Sequence, residues 1–152
     1  MPGIISPLKS TEREMKEDAK ILVVDDEAVM RNLLLKILEQ EGYQITLASC
    51  FDEAISRLQN ERFELVLADV KMPGANGFEL LQVIKQRWPG TAVIMMTGFG
   101  DAYTVKEALM MGADEYITKP FKSHEISLII ERAYWRQIAT SKDKYAKQEL
   151  EQ

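Results

Sequence analysis

A doubly wound sheet of five parallel strands, covered by five helices, is the fold class that this chain predicts, and three observations predict it. Five short apolar runs alternate with five helix-period segments along the chain. No hairpin signal joins any two of the runs, so each return passes through a crossover helix. Four of the runs end in residues with chemistry to offer, Asp25-Asp26, Asp69, Thr97 and Lys119. In an open parallel sheet the carboxyl ends of the strands form the edge where ligands bind.

The elements follow in order. The spacing predicts a buried strand over Lys20–Val24, then a helix carrying Met30, Leu33, Leu34, Ile37 and Leu38 on one face. Gly42 suits a left-handed cap on that helix. A second strand is predicted near Gln44–Ala48, followed by a helix with Ala54, Ile55 and Leu58 inward. The third strand covers Leu65–Ala68 and runs into a loop from Asp69 to Gly77. The next helix turns Phe78, Leu81, Ile84 and Trp88 inward, and Pro89-Gly90 stops it. A fourth strand over Ala92–Met96 leads into Thr97-Gly98-Phe99-Gly100, then a helix with Val105, Ala108 and Leu109, closed by Gly112. The fifth strand, Glu115–Thr118, meets Lys119-Pro120, where a cis peptide is open to the chain. The last helix starts near Ser123 and buries Ile126, Ile129, Ile130 and Ala133.

Residues 1–19 read as a flexible N-terminal extension, mobile or weakly helical, 20–136 as the folded domain and 137–152 as a helical tail or linker. From residue 134 onward no glycine or proline interrupts the chain, and Ile138, Tyr145 and Leu150 make only a ragged apolar stripe. A solvated, fraying helix and a signalling linker both fit that pattern.

The 152 residues, 46% hydrophobic and 28% charged, suffice for one domain with a real core. A net charge of -5 argues against a nucleic-acid surface, and none is expected. The single cysteine, Cys50, has no internal partner, which fits a reducing compartment, and no apolar run reaches the length of a membrane helix. The first residues lack the apolar centre of a signal peptide, so a cytoplasmic location without membrane contact is expected.

Adjacent carboxylates are common on surfaces, where they cap helices or stay solvated. Asp25 and Asp26 follow an apolar strand and precede a helix, so one can cap while the other points into the strand-end cleft. Asp69 holds the equivalent place on another strand. Two unit charges about 4 Å apart repel by about 4 kcal/mol at an effective dielectric near 20, a cost met where a cation neutralises them. Oxygen ligands suit Mg²⁺, or Mn²⁺ in its place, rather than zinc. Lys119 adds a fixed positive charge able to pair with Asp69 at rest and with a phosphoryl oxygen later. Thr97, before Gly98, offers a hydroxyl at the same edge.

The segments Val23-Val24-Asp25-Asp26-Glu27, Asp69-Val70-Lys71-Met72-Pro73-Gly74, Met96-Thr97-Gly98 and Lys119-Pro120-Phe121 together resemble the receiver domain of two-component response regulators, over residues from about 20 to 136. The stretches from Thr97 to Asp101 and from Gly112 to Tyr116 are similar to receivers of the nitrogen-regulator class. The resemblance implies a flavodoxin-like fold with an extended C-terminal helix. It also implies a signalling switch rather than an enzyme, its own phosphotransfer and slow dephosphorylation being the only chemistry. By the same resemblance Asp69 is the phospho-acceptor, Asp26 and Asp69 bind Mg²⁺ directly, Asp25 acts through a metal-bound water, and the main-chain carbonyl of Lys71 completes the set. Lys119 contacts the phosphoryl group, while Thr97 and Tyr116 form the switch pair that changes the surface of the fourth helix, fifth strand and fifth helix. The implied partners are a sensor histidine kinase or histidine phosphotransfer protein and a downstream effector protein or domain, with a homodimer also open.

A Mg²⁺-dependent aspartyl-phosphate phosphohydrolase is the rival reading. Those enzymes carry a second aspartate two residues after the nucleophile, and Lys71 stands there instead. A pseudo-receiver scaffold would lack one of the acidic or lysine positions, and all are present. Phe99, two residues past Thr97, is expected to shield the acyl phosphate from water, and His124, the only histidine, to face solvent or cap the last helix.

Overall fold

The computed structural model describes residues 14–98 and 105–150, with side chains described for 14–98 and 106–140. Ten elements alternate through it: β1 (Lys20–Val24), α1 (Ala28–Gln40), β2 (Gln44–Ala48), α2 (Phe51–Asn60), β3 (Leu65–Asp69), α3 (Gly77–Arg87), β4 (Ala92–Gly98), α4 (Val105–Met110), β5 (Glu115–Lys119) and α5 (Ser123–Leu150). The five strands form one parallel sheet in the order β2-β1-β3-β4-β5. That is the doubly wound arrangement the alternation predicts, with the order of strands reversing beside β1.

Side chains alternate across each strand and so feed two separate cores. Leu22, Val24, Val66, Ala68, Val93 and Met95 pack with residues of α2, α3 and Ala108 of α4. Ile21, Val23, Leu65, Leu67, Ile94 and Met96 pack with Leu34 and Leu38 of α1 and with Ile126, Ile130 and Ala133 of α5. All five residues of β3 are buried, as expected of the central strand of a doubly covered sheet.

Strands β3 and β4 run further than the apolar runs suggest. Asp69 pairs in register with Met96, and the Val70 N–H donates to the Met96 carbonyl at 2.9 Å. Gly98 pairs with Lys119 one strand over. Asp69, Thr97 and Lys119 are therefore fixed by ladder hydrogen bonds and do not hang in loops. Gly42 adopts the left-handed conformation, φ +100°, in the α1–β2 turn, as its place after the helix predicts.

Two apolar residues depart from the predicted inward faces. Leu33 is 44% exposed and Leu109 is 48% exposed. Each is one residue, about 100° of helix rotation, from a fully buried neighbour, Leu34 and Ala108. The buried stripes are narrower than the apolar ones.

The described end of the N-terminal extension takes the helical alternative. Residues 14–18 are helical and Ala19 is buried. Tyr134 Oη donates to the Met15 carbonyl at 2.9 Å, Gln44 Nε2 donates to the Glu17 carbonyl at 2.6 Å, and Lys16 lies 3.5 Å from the Glu131 carboxylate. This last part of the extension is attached to α5 and to the start of β2.

Candidate functional site

Strand ends and the turns after them assemble the site at the carboxyl edge of the sheet. Asp25 follows β1 and is fully buried; its N–H donates to the Ala48 carbonyl at 3.1 Å, which ties it to the end of β2. Its Oδ1 accepts the Glu27 N–H at 2.9 Å, a local bond that shapes the turn into α1. Asp69, the last residue of β3, is 6% exposed, and its Oδ1 accepts the Lys71 N–H at 3.2 Å. Asp26 is exposed above them. One carboxylate oxygen from each of Asp25, Asp26 and Asp69 lies within 4.8 Å of the others.

Lys119 enters from the end of β5 and is shared. Its Nζ donates to Asp25 Oδ2 at 2.9 Å and to Asp69 Oδ2 at 2.9 Å. The Asp69 partner follows from the sequence pattern; the Asp25 partner does not. The Lys119–Pro120 peptide is cis. Burial pulls the Lys119 ammonium towards the neutral form, but the two carboxylate bonds outweigh it and hold its pKa above the ordinary lysine value. Burial also pushes the Asp69 carboxyl up, Lys119 opposes this, and Asp25 adds to the rise, so the net shift is upward. Three carboxylates and one ammonium leave a surplus of negative charge in a largely buried cluster.

The described cluster offers carboxylate oxygens without histidine or cysteine, and each oxygen that already accepts one hydrogen bond keeps acceptor capacity. Hard oxygen donors with a surplus of negative charge suit Mg²⁺ or Mn²⁺. The residues fit.

Lys71 lies beside this cluster, its N–H bonded to Asp69, and it lines a hollow of about 350 Å³ together with Asp26, Pro73 and Asn76. Thr97 is buried on β4, one residue past Met96, the register partner of Asp69. Tyr116, half-buried, sits on β5 opposite Met95. The structure thus brings Asp25, Asp26, Asp69, Lys119 and the Lys71 backbone together, with Thr97 and Tyr116 on the neighbouring strands. Phe99 lies outside the described residues. His124 is exposed at the start of α5, as expected, and Cys50 is a half-buried free thiol at the N-cap of α2.

Two further residues support the cluster and escaped the sequence reading. Arg31 Nη1 donates to the Asp25 carbonyl at 2.7 Å. Gly77, first residue of α3, donates its N–H to the Val70 carbonyl at 3.0 Å and lies so close to the Asp69 carbonyl oxygen that a Cβ would collide with it. A glycine opening a helix just after the acidic loop was the available signal for the second. For the first it was a basic residue near a helix start.

A doubly wound parallel α/β sheet with an acidic cluster and one shared lysine at its carboxyl edge defines the class by fold and site. Within that class the chain belongs to the response regulator receiver domain family, which its residues 21–131 match. It is 38% identical over 128 residues to the transcriptional regulatory protein ResD of Bacillus subtilis (strain 168), covering 84% of this chain and 53% of ResD. It is 37% identical over 115 residues to the nitrogen assimilation regulatory protein NtrX of Azorhizobium caulinodans, covering 74% of this chain and 25% of NtrX. Among solved structures, a CheY-like receiver domain protein from Methanospirillum hungatei JF-1 superposes with a TM-score of 0.76 at 34% identity, over 80% of this chain and 98% of that one. NtrX from Brucella abortus in complex with ADP superposes with a TM-score of 0.80 at 34% identity, over 83% of this chain and 29% of that one.

The fold is therefore the CheY-like, flavodoxin-like one, and the resemblance to nitrogen-regulator receivers holds. Receivers of this family are signalling proteins of two-component systems. The chain spans about half the length of ResD and a quarter of NtrX. Among the described residues no helix is long and apolar enough to cross a membrane.

Proposed function

We propose that this chain is a phosphorylation-dependent switch that accepts a phosphoryl group on Asp69. The observation that carries the reading is the Lys119 ammonium, 2.9 Å from both Asp25 and Asp69, with the Asp26 carboxylate completing the cluster. A phosphohydrolase built on the same nucleophile would need an acid two residues on, where Lys71 stands.

An Asp69 carboxylate oxygen attacks the phosphorus of a phosphohistidine on a sensor kinase or phosphotransfer protein; the new O–P bond forms as the P–N bond breaks and the imidazole leaves. Asp26, Asp69 and the Lys71 carbonyl would hold Mg²⁺ or Mn²⁺, with Asp25 acting through water, and such an ion supplies neutralising charge to the phosphoryl oxygens. Lys119 exchanges a carboxylate partner for a phosphoryl oxygen. The acceptor oxygens gained at Asp69 recruit the Thr97 hydroxyl, and Tyr116 moves into the space Thr97 leaves, which changes the α4-β5-α5 surface presented to an effector or to a second copy. Val29, 81% exposed, and Leu33 lie on α1 just past Asp26, an apolar surface suited to a docking kinase or phosphotransfer protein. A cytoplasmic site of action agrees with that partner. The expectation of no nucleic-acid contact rests on net charge alone, and relatives named transcriptional regulatory proteins lend it no support.

Intact mass after incubation with acetyl phosphate tests the reading. One phosphoryl adduct is expected, dependent on Mg²⁺ and absent from Asp69→Asn. No adduct, or one indifferent to Asp69, would overturn it.

A further inference from the structure

Helix α1 starts without the usual devices. Its N-cap, Glu27, makes no side-chain capping bond, and its first turn contains no acidic residue. The positive end of the helix dipole favours carboxylates at that place and disfavours cations. Arg31 nevertheless stands at the fourth helical position. Local rules are broken most often where a side chain serves a site.

The Arg31 guanidinium donates from Nη1 to the Asp25 carbonyl at 2.7 Å. That carbonyl belongs to the peptide joining the two carboxylates of the cluster. Around the same peptide, the Asp25 N–H is held by Ala48 and the Asp25 side chain by the Glu27 N–H. The guanidinium is also within electrostatic reach of Glu53, whose carboxylate accepts from Ser49 Oγ at 2.8 Å. Arg31 therefore bridges from α1 to the end of β1, on the side where β2 leads into α2.

We infer that Arg31 is a positioning residue for cation binding: by holding the Asp25 carbonyl it fixes the turn that presents the Asp25 and Asp26 carboxylates together. The inference rests on the proposed metal role of that cluster. Its sign is opposite to that of simple electrostatics. A positive charge beside a cation site repels the cation, so its removal alone tightens binding. Removal of a strut that orients the ligands weakens it, as loss of outer-shell partners does.

The test is Mg²⁺ titration of the full chain by calorimetry at fixed ionic strength, with the cation-free thermal midpoint recorded beside it. Arg31→Met keeps the aliphatic stem and removes both charge and donors. Its Mg²⁺ affinity is expected to fall about tenfold, the lower end for outer-shell partners, while the cation-free midpoint stays within a few degrees of wild type. Arg31→Gln, neutral and too short to reach the carbonyl, carries the same expectation and decides the matter if Arg31→Met does not fold. Affinity equal to or tighter than wild type overturns the inference. Asp26→Asn separates the two readings. Wild-type binding that is absent, or that survives Asp26→Asn, overturns the metal site itself and this inference with it. Binding lost in Asp26→Asn but unchanged in Arg31→Met overturns the role of the arginine alone.

Discussion

Lys119 divides its ammonium between Asp25 and Asp69, and the two carboxylates do not depend on it equally. Asp25 is fully buried, and among the described residues its carboxylate keeps only the Glu27 N–H besides. Removal of one partner from a buried ion pair costs about 3–5 kcal/mol, because the other charge is left uncompensated. Lys119→Met should therefore lower unfolding stability by about 3 kcal/mol in denaturant titrations without divalent cation, and added Mg²⁺ should recover part of the loss. Asp69→Asn should do the reverse. Burial raises the Asp69 pKa above that of the unfolded chain, so the stability this group contributes is complete below its unfolded pKa and is lost as pH rises through the folded value. Ionised Asp69 is thus a burden at neutral pH. Asp69→Asn should raise the neutral-pH midpoint by a few degrees, the size of a change of about 1 kcal/mol in a domain of this length. The advantage should vanish as pH falls through the folded pKa of Asp69, which scans across pH would check.

At the level of elements, the close approach of α3 to β3 depends on one missing side chain. A Cβ on Gly77 would strike the Asp69 carbonyl and press on Met95 Cε at 2.8 Å. The carbonyl belongs to a ladder strand and cannot yield easily, so Gly77→Ala should cost about 1–3 kcal/mol, as overpacking does, and should slow phosphorylation of Asp69 by displacing it. The attached N-terminal segment makes a milder prediction. Tyr134→Phe removes the bond to the Met15 carbonyl, worth about 1 kcal/mol, and hydrogen exchange over residues 14–19 should accelerate while β3 stays protected. The strands and helices were legible because each apolar run is short and each helix keeps its period. The extent of β3 and β4 was not, since Asp69 and Gly98 are poor strand formers held in place by neighbours far away in sequence. Leu33 and Leu109 were misplaced for a related reason: periodicity finds an apolar stripe but not how much of it another element covers.

Over the whole molecule, Glu115 joins the sheet to the last helix. It starts β5 and accepts bonds from Arg132 and Arg136 of α5 at 2.8 Å each. Burial alone would raise its pKa, but the two guanidinium groups outweigh it and hold the carboxyl below the usual range. With a depressed folded pKa, its stability contribution is present above the unfolded value and is lost as pH falls through the folded one. Both arginines are about half exposed, so solvent screening limits the effect. Glu115→Gln should lose about 0.5–1 kcal/mol at neutral pH, a loss that shrinks as pH falls through the folded pKa of Glu115, with the opposite sign to Asp69→Asn. Of the site, Asp25, Asp26, Asp69 and Lys119 were legible because they end apolar runs. Arg31, Gly77 and the Lys119–Asp25 bond were not, because each depends on how two elements meet. The attachment of residues 14–18 to Tyr134 has a consequence for wiring. The incoming chain and the outgoing helix leave from one pole of the sheet, and the acidic cluster occupies the other. A body that approaches the acidic pole leaves both of these departure points uncovered.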